Sequence, residues 1–183
     1  MALTYSPDPD LGKACPDFNL PAVDGRQYSL KDFRNGHSQL VMFICNHCPY
    51  VIAIEDRLVQ LAKDLKKINV NVIGISSNDV ENYPEDSFDK MKAKAADKKF
   101  PFVYLFDESQ LAAKEFGAVC TPDFFLYDKS GKLAYRGRLD DSWKDPSKVT
   151  NRELFQAAQE LEKGQNISIP QTPTMGCNIK WKK

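Results

Sequence analysis

The sequence predicts an α/β protein, a central mixed sheet with helices on both faces. Three observations carry that expectation. Apolar runs of strand length at about 39–45 and 70–76 flank a segment whose apolar residues fall at helical spacing. Another helical stretch leads to a short apolar run, Phe102 to Phe106, so strands and helices alternate. Further on, Phe124 to Tyr127 and Leu133 to Arg138 face each other across Asp128-Lys-Ser-Gly131, the signature of a hairpin.

In chain order, Asp17 to Leu30 reads as two short strands around an Asp24-Gly25 turn, an N-terminal β-hairpin extension. After the first long strand, Val51, Ile54, Leu58, Leu61 and Leu65 form one apolar stripe at steps of three and four. Glu55, Asp56, Arg57, Lys63 and Lys66 take the wet side of that helix. Pro49 suits its first position, where the missing amide hydrogen would be unpaired anyway. A polar loop through Asn82-Tyr-Pro84 leads to a helix at about 85–98. Glu108 to Phe116 is a short helix ended by Gly117. Thr150-x-x-Glu153 predicts a capping box opening the last helix, which buries Leu154, Phe155, Ala158 and Leu161 and closes at Gly164. Without repeats or linker-like stretches, residues 1–183 are expected to form a single domain, with 165–183 as a C-terminal extension.

Bulk properties narrow the function. Lys+Arg and Asp+Glu both number 25, so net charge offers no attraction to nucleic acid or an anionic membrane. No apolar run approaches the ~20 residues of a membrane span, and the N-terminal residues lack a signal-peptide pattern, so a cytoplasmic location is expected. Five cysteines are too few for a disulfide framework in a chain of this length. They are expected to be free, catalytic or metal-binding.

The chemistry concentrates where the first long strand empties into Cys45-Asn-His-Cys48-Pro49. Amide groups in the first turn of a helix favour a thiolate over a thiol. A free thiol titrates near ~8.5, and each unit of depression represents ~1.4 kcal/mol. Two registers compete. The literal Cys-x-x-Cys pattern makes Cys45 the attacking thiol and Cys48 its resolving partner. The alternative sets Cys48 at the cap position, with Pro49 opening the helix behind it and Cys45 nearer the strand end. The second is favoured, because it puts the Cys48 sulfur where the helix amides act.

Three segments together carry a family resemblance: Ala14-Cys-Pro-Asp-Phe-Asn-Leu20, the cysteine turn, and Val119-Cys-Thr-Pro122-Asp-Phe-Phe-Leu-Tyr-Asp128. Over roughly 12–163 the chain resembles the thioredoxin fold, and within it the peroxiredoxin-like branch of the alkyl hydroperoxide reductase/thiol-specific antioxidant superfamily. The resemblance implies a cis Thr121–Pro122 peptide facing the reactive sulfur, with the Thr121 backbone aligning an extended substrate. It implies no cofactor. Counting in thioredoxin-like chains runs five residues from the last strand phenylalanine to the attacking cysteine, and five beyond Phe43 is Cys48. Peroxiredoxins carry Pro-x-x-x-Thr-x-x-Cys before their peroxide-reactive sulfur. Here Val41 and Cys45 stand at those places before Cys48, and Ser38 and Met42 before Cys45. Neither register supplies the threonine.

The expected function is therefore a cytosolic thiol–disulfide oxidoreductase. Cys48 attacks a protein or small-molecule disulfide, Thr121 and Pro122 align it, Cys45 resolves the mixed disulfide, and an external thiol restores the pair. A slow thiol peroxidase or redox sensor acting on peroxide is the alternative, and a non-catalytic thioredoxin-fold binding module is the third. Cys120, two residues before Pro122, and Cys177, in the extension, are further candidates for resolving. His47 is a candidate for tuning the neighbouring sulfur. A zinc site from Cys45, His47, Cys48 and Cys120 is the competing reading, and the expectation is of no metal. Cys15 is expected to be packing. Tyr135 to Trp143, dense in charge, is expected at the rim of the pocket.

Overall fold

The structure, a computed structural model, describes residues 3–183. The first strands are β1 (Leu3–Tyr5), β2 (Asn19–Pro21), β3 (Gln27–Ser29) and β4 (Gln39–Phe43). Then come α1 (Pro49–Ile52), α2 (Glu55–Lys67), β5 (Asn71–Ser76), α3 (Phe88–Asp97), β6 (Val103–Phe106) and α4 (Leu111–Phe116). The chain continues through β7 (Cys120–Thr121), β8 (Asp123–Tyr127), β9 (Leu133–Tyr135), α5 (Glu153–Glu162) and β10 (Met175–Asn178). The main sheet runs β6-β5-β4-β8-β9, parallel among β4, β5 and β6 and antiparallel from β4 through β8 to β9. It is the mixed sheet expected, and β2 and β3 form the expected hairpin.

Strand alternation divides the interior in two. Leu40, Met42, Phe124, Leu126 and Tyr104 point to the face covered by α2, α3 and α5, through Leu58, Leu61, Leu65, Met91, Leu154 and Ala158. Val41, Phe43, Ile73, Ile75 and Phe125 point to the other, covered by α4 and the N-terminal segment through Ala113, Phe116, Phe18 and Leu30. Removing a β4 side chain such as Leu40 to Ala would cost about 2–5 kcal/mol, because both faces are closed.

Three local expectations fail. The helix after β4 is broken: Ile54 N–H donates to Val51 O, an i to i+3 bond that tightens the chain between α1 and α2. The capping box does not form, since the Thr150 hydroxyl donates to Asp141 and Glu153 instead clasps Arg138 at 2.6 and 2.7 Å. Helix α3 begins at Phe88, and Pro84–Asp86 forms a separate 3-10 turn. The extension is also more than a tail. From it β10 lies between β1 and β7 in a second, three-stranded sheet, in register Leu3↔Cys177 and Cys177↔Thr121. Neither β1 nor β10 is predicted by the sequence pattern, since both are too short to show a period.

Candidate active site

Strand β4 is buried along its whole length, and two residues after its end comes Cys45. The chain then turns through Asn46 and His47, and Cys48 takes the cap position of α1 with Pro49 in the first turn. This is the register the strand count favours. The turn is held by one buried carboxylate. Asp86 Oδ1 accepts from the Asn46 amide at 2.7 Å and the His47 amide at 3.2 Å. Its Oδ2 accepts from Asn78 Nδ2 at 2.7 Å and His47 Nδ1 at 2.6 Å, which puts the ring proton on Nδ1. The His47 ring stacks on Tyr83 with centroids 5.4 Å apart. Sequence reading missed Asp86, because nothing in Pro84-Glu-Asp86 marks a residue that will serve a turn forty positions upstream.

The opposite wall is the Thr121–Pro122 loop, whose peptide is cis. Cys48 Sγ lies 3.1 Å from the Thr121 carbonyl oxygen, a contact in which the thiol donates. Thr121 Oγ1 is 3.3 Å from Cys45 Sγ. The Asp123 carboxylate, just beyond the proline, is clamped by Arg136 at 2.7 Å. Burial outweighs that partner and pushes Asp123 up to about 6.

Three sulfurs meet at Cys48. Its thiol is pulled down to about 5, chiefly because the Cys45 thiol donates a hydrogen bond to it. The Cys177 thiol and the Val51 amide add to the pull against the cost of burial. Cys45 is driven well up by the same bond seen from the donor's side, by burial, and by the Asp86 charge. With the Cys45 proton committed to Cys48, the Thr121 hydroxyl is the donor to Cys45. The three donors serve the thiolate, whereas the Thr121 carbonyl serves the thiol, so ionisation weakens that one contact. The expected cause of depression was the helix terminus. The larger one is the neighbouring thiols; from α1, only four residues long, the Val51 amide contributes less.

Burial corrects a second expectation. An attacking sulfur at a helix start would be open to its substrate, yet Cys48 is 0% accessible, with Cys45 and Cys177 each at 2%. β10 packs against α1 and closes over the sulfur. A cleft of about 170 Å³ opens beside Pro122, lined by Tyr5, Tyr50, Ile54, Trp143 and Met175 among others, but Cys48 does not line it. Arg138, Asp140 and Trp143 bring the charged run onto that rim, as expected, with Trp143 packed on Tyr50 at 4.6 Å between centroids.

The remaining candidates divide. Cys120 is enclosed, points its thiol at the Pro122 carbonyl oxygen at 3.6 Å, and is raised chiefly by burial. It does not join the Cys45–Cys48–Cys177 group. Cys15 is packed in the second core and pushed up to about 12 by burial. Cys45, His47 and Asp86 offer sulfur, nitrogen and oxygen atoms within 4.8 Å of one another. The 2.6 Å separation of the His47 and Asp86 atoms is a hydrogen bond, shorter than the about 3.3 Å between two ligands on one tetrahedral zinc. The zinc set with Cys120 is not assembled.

The sequence matches the AhpC/TSA family across residues 11–136. The chain belongs to that family. A crystal structure of an uncharacterized conserved protein from Geobacillus kaustophilus is similar to the whole chain, with 41% identity and a TM-score of 0.94, covering 100% of this chain and 97% of that one. A 1-Cys peroxiredoxin of Onchocerca volvulus is 31% identical over 115 residues, 58% of this chain and 50% of that protein. The thiol-disulfide oxidoreductase ResA of Bacillus thuringiensis is 27% identical over 124 residues, 68% of this chain and 67% of that protein. This AhpC/TSA member thus spans about half the length of the peroxiredoxin it resembles. The overall fold is thioredoxin-like, a likeness shared with structures of lower identity such as a thiol-disulfide oxidoreductase domain from Bacteroides vulgatus.

Proposed function

We propose that the protein is a thiol–disulfide oxidoreductase in which Cys48 attacks and Cys45 resolves. The observation that carries this reading is the Cys45 thiol donating to a Cys48 sulfur held near pKa 5 at the start of α1. At pH 7 such a sulfur is overwhelmingly thiolate, the form that attacks a disulfide. Attack forms a Cys48–substrate disulfide and expels the substrate's other sulfur as a thiolate. Cys45 then attacks Cys48, giving the Cys45–Cys48 disulfide and releasing the reduced substrate, and an external thiol reductant restores the pair. Thr121 and Pro122 present an extended substrate to the sulfur, and its side chains occupy the aromatic cleft beside Pro122. Because Cys48 is enclosed, substrate entry has to displace part of its cover. We place the activity in the cytoplasm, where five free thiols persist, and treat the whole chain, extension included, as one functional unit.

Peroxide reduction or sensing is the second reading, favoured by membership in the AhpC/TSA family and by the low Cys48 pKa. No threonine three residues before Cys48 supports it; Cys45 stands there. Insulin reduction with dithiothreitol, run beside peroxide consumption, separates the readings. Insulin turnover is expected to dominate and to vanish in Cys48→Ser. Full turnover by that variant would overturn the assignment.

A further inference from the structure

We infer that Cys177, on the C-terminal strand, is a second resolving thiol, able to close a Cys48–Cys177 disulfide in place of the Cys45–Cys48 one. This rests on Cys48 being the attacking sulfur. The pairing register sets Cys177 opposite Thr121, the residue whose carbonyl touches Cys48 Sγ at 3.1 Å. Cys48 and Cys177 lie in the same buried cluster, β10 packs against the helix that Cys48 caps, and the Cys177 thiol is among the groups that favour the Cys48 thiolate. It is not a thiol swinging on a loose tail. β10 is paired on one edge to β1 and on the other to β7, and Ile179 N–H bonds to the Val119 carbonyl at 3.0 Å. Gly176, next to it, lies so close to the Thr121 carbonyl that any Cβ would overlap it. Cys177 is therefore fixed opposite Thr121, whose carbonyl touches the Cys48 sulfur, by the same backbone that forms the Thr121–Pro122 wall.

The electrostatics bring this thiol into play at the right step. While Cys48 is a thiolate, burial first, and then hydrogen bonding and repulsion from that anion, push Cys177 up to about 12. Once Cys48 has formed a mixed disulfide its charge is gone, and both Cys48 contributions go with it. Burial then remains, opposed by the nearby Lys180 ammonium. Cys45 differs, because the Asp86 carboxylate continues to disfavour its thiolate after Cys48 is consumed. The Cys177 thiolate attacks Cys48 sulfur, the Cys48–substrate bond breaks, and the substrate leaves as a thiolate that takes up the proton Cys177 gave up. Two electrons have passed from the protein thiols to the substrate disulfide. A dithiol such as dithiothreitol returns them.

Dithiobis(nitrobenzoate) tests the step by stoichiometry, because each sulfur displaced appears as coloured nitrothiobenzoate. In folded Cys45→Ser, attack by Cys48 releases one equivalent and resolution by Cys177 a second. The expected result is two fast equivalents and a Cys48–Cys177 cross-linked peptide on mapping. Cys45→Ser/Cys177→Ser should stop at one, as a stable adduct on Cys48. A single equivalent from Cys45→Ser, or a cross-link from Cys48 to Cys120, would overturn the inference. Cys45→Ala, which leaves no polar atom in the buried position, serves in place of a serine variant that fails to fold. Failure of the underlying reading shows up separately, as fast release undiminished in Cys48→Ser.

Discussion

Cys45 and Cys177 face the same sulfur from opposite origins in the chain. Cys45 belongs to Cys48's own turn and shares its anchor, Asp86, so its position follows from three residues of local geometry and one distant carboxylate. Cys177 comes from the far end of the chain and is held by strand pairing and by the close approach of Gly176. Both thiols donate to Cys48, and both are kept protonated by it. They part in what remains once Cys48 is consumed: a carboxylate beside one, an ammonium beside the other. Two thiols with the same contact can thus have unequal chemistry, because reactivity follows the charges outside the sulfur cluster.

Gly176→Ala should break the comparison on the tail's side, with the largest effect. The new methyl meets backbone at Thr121 and Pro122, which cannot rotate away as a side chain would. A loss of about 3 kcal/mol in urea unfolding is expected, the upper range for overpacking, together with loss of the Cys48–Cys177 cross-link. Wild-type stability would mean that β10 does not sit against that peptide. Asp86→Asn strikes the other side. The amide replaces an acceptor oxygen with a donor facing donors from Asn78 and His47, at a cost of about 2 kcal/mol. It also removes a charge that raises Cys45, so the variant should resolve mixed disulfides faster than wild type at pH 7, read by stopped-flow release of nitrothiobenzoate. Slower resolution in a variant that keeps its fold would show that Asp86 assists Cys45.

The smallest effect sharpens the comparison through pH. Iodoacetamide alkylation of Cys48 should be half-maximal near pH 5 and level above about pH 6, since the thiolate reacts and protonation below the pKa removes it. Cys45→Ala deletes the donor that contributes most to the anion, so the midpoint must move upward. A shift of one unit corresponds to ~1.4 kcal/mol, and it would change the rate at pH 7 by only about a tenth. A midpoint unmoved by Cys45→Ala but raised by Cys177→Ala would make Cys177 the principal donor.

Much of this was legible in residue order. Pro49 after Cys48, and the apolar rhythm that follows, placed Cys48 at a helix start because a helix terminus is a matter of adjacent residues. The β4, β5 and β8 strands announced themselves because strands buried on both faces need continuous apolar runs. The Thr121–Pro122 wall was read from resemblance, and the cleft rim from the density of charge between Tyr135 and Trp143. The break between α1 and α2 and the failed capping box escaped, since Val51 to Ile54 and Thr150 to Glu153 carry ordinary helical signals that tertiary partners overrode. The cover over Cys48, the Asp86 anchor and the meeting of Cys48 with Cys177 had no local signal at all. Each depends on bringing together residues from about forty to about 130 positions apart, and a strand of four residues such as β10 has too few side chains to announce its register. Sequence thus pointed to the atom proposed to react. Only the folded backbone decided which neighbours hold its charge, because hydrogen bonds and burial are properties of distance in space rather than distance along the chain.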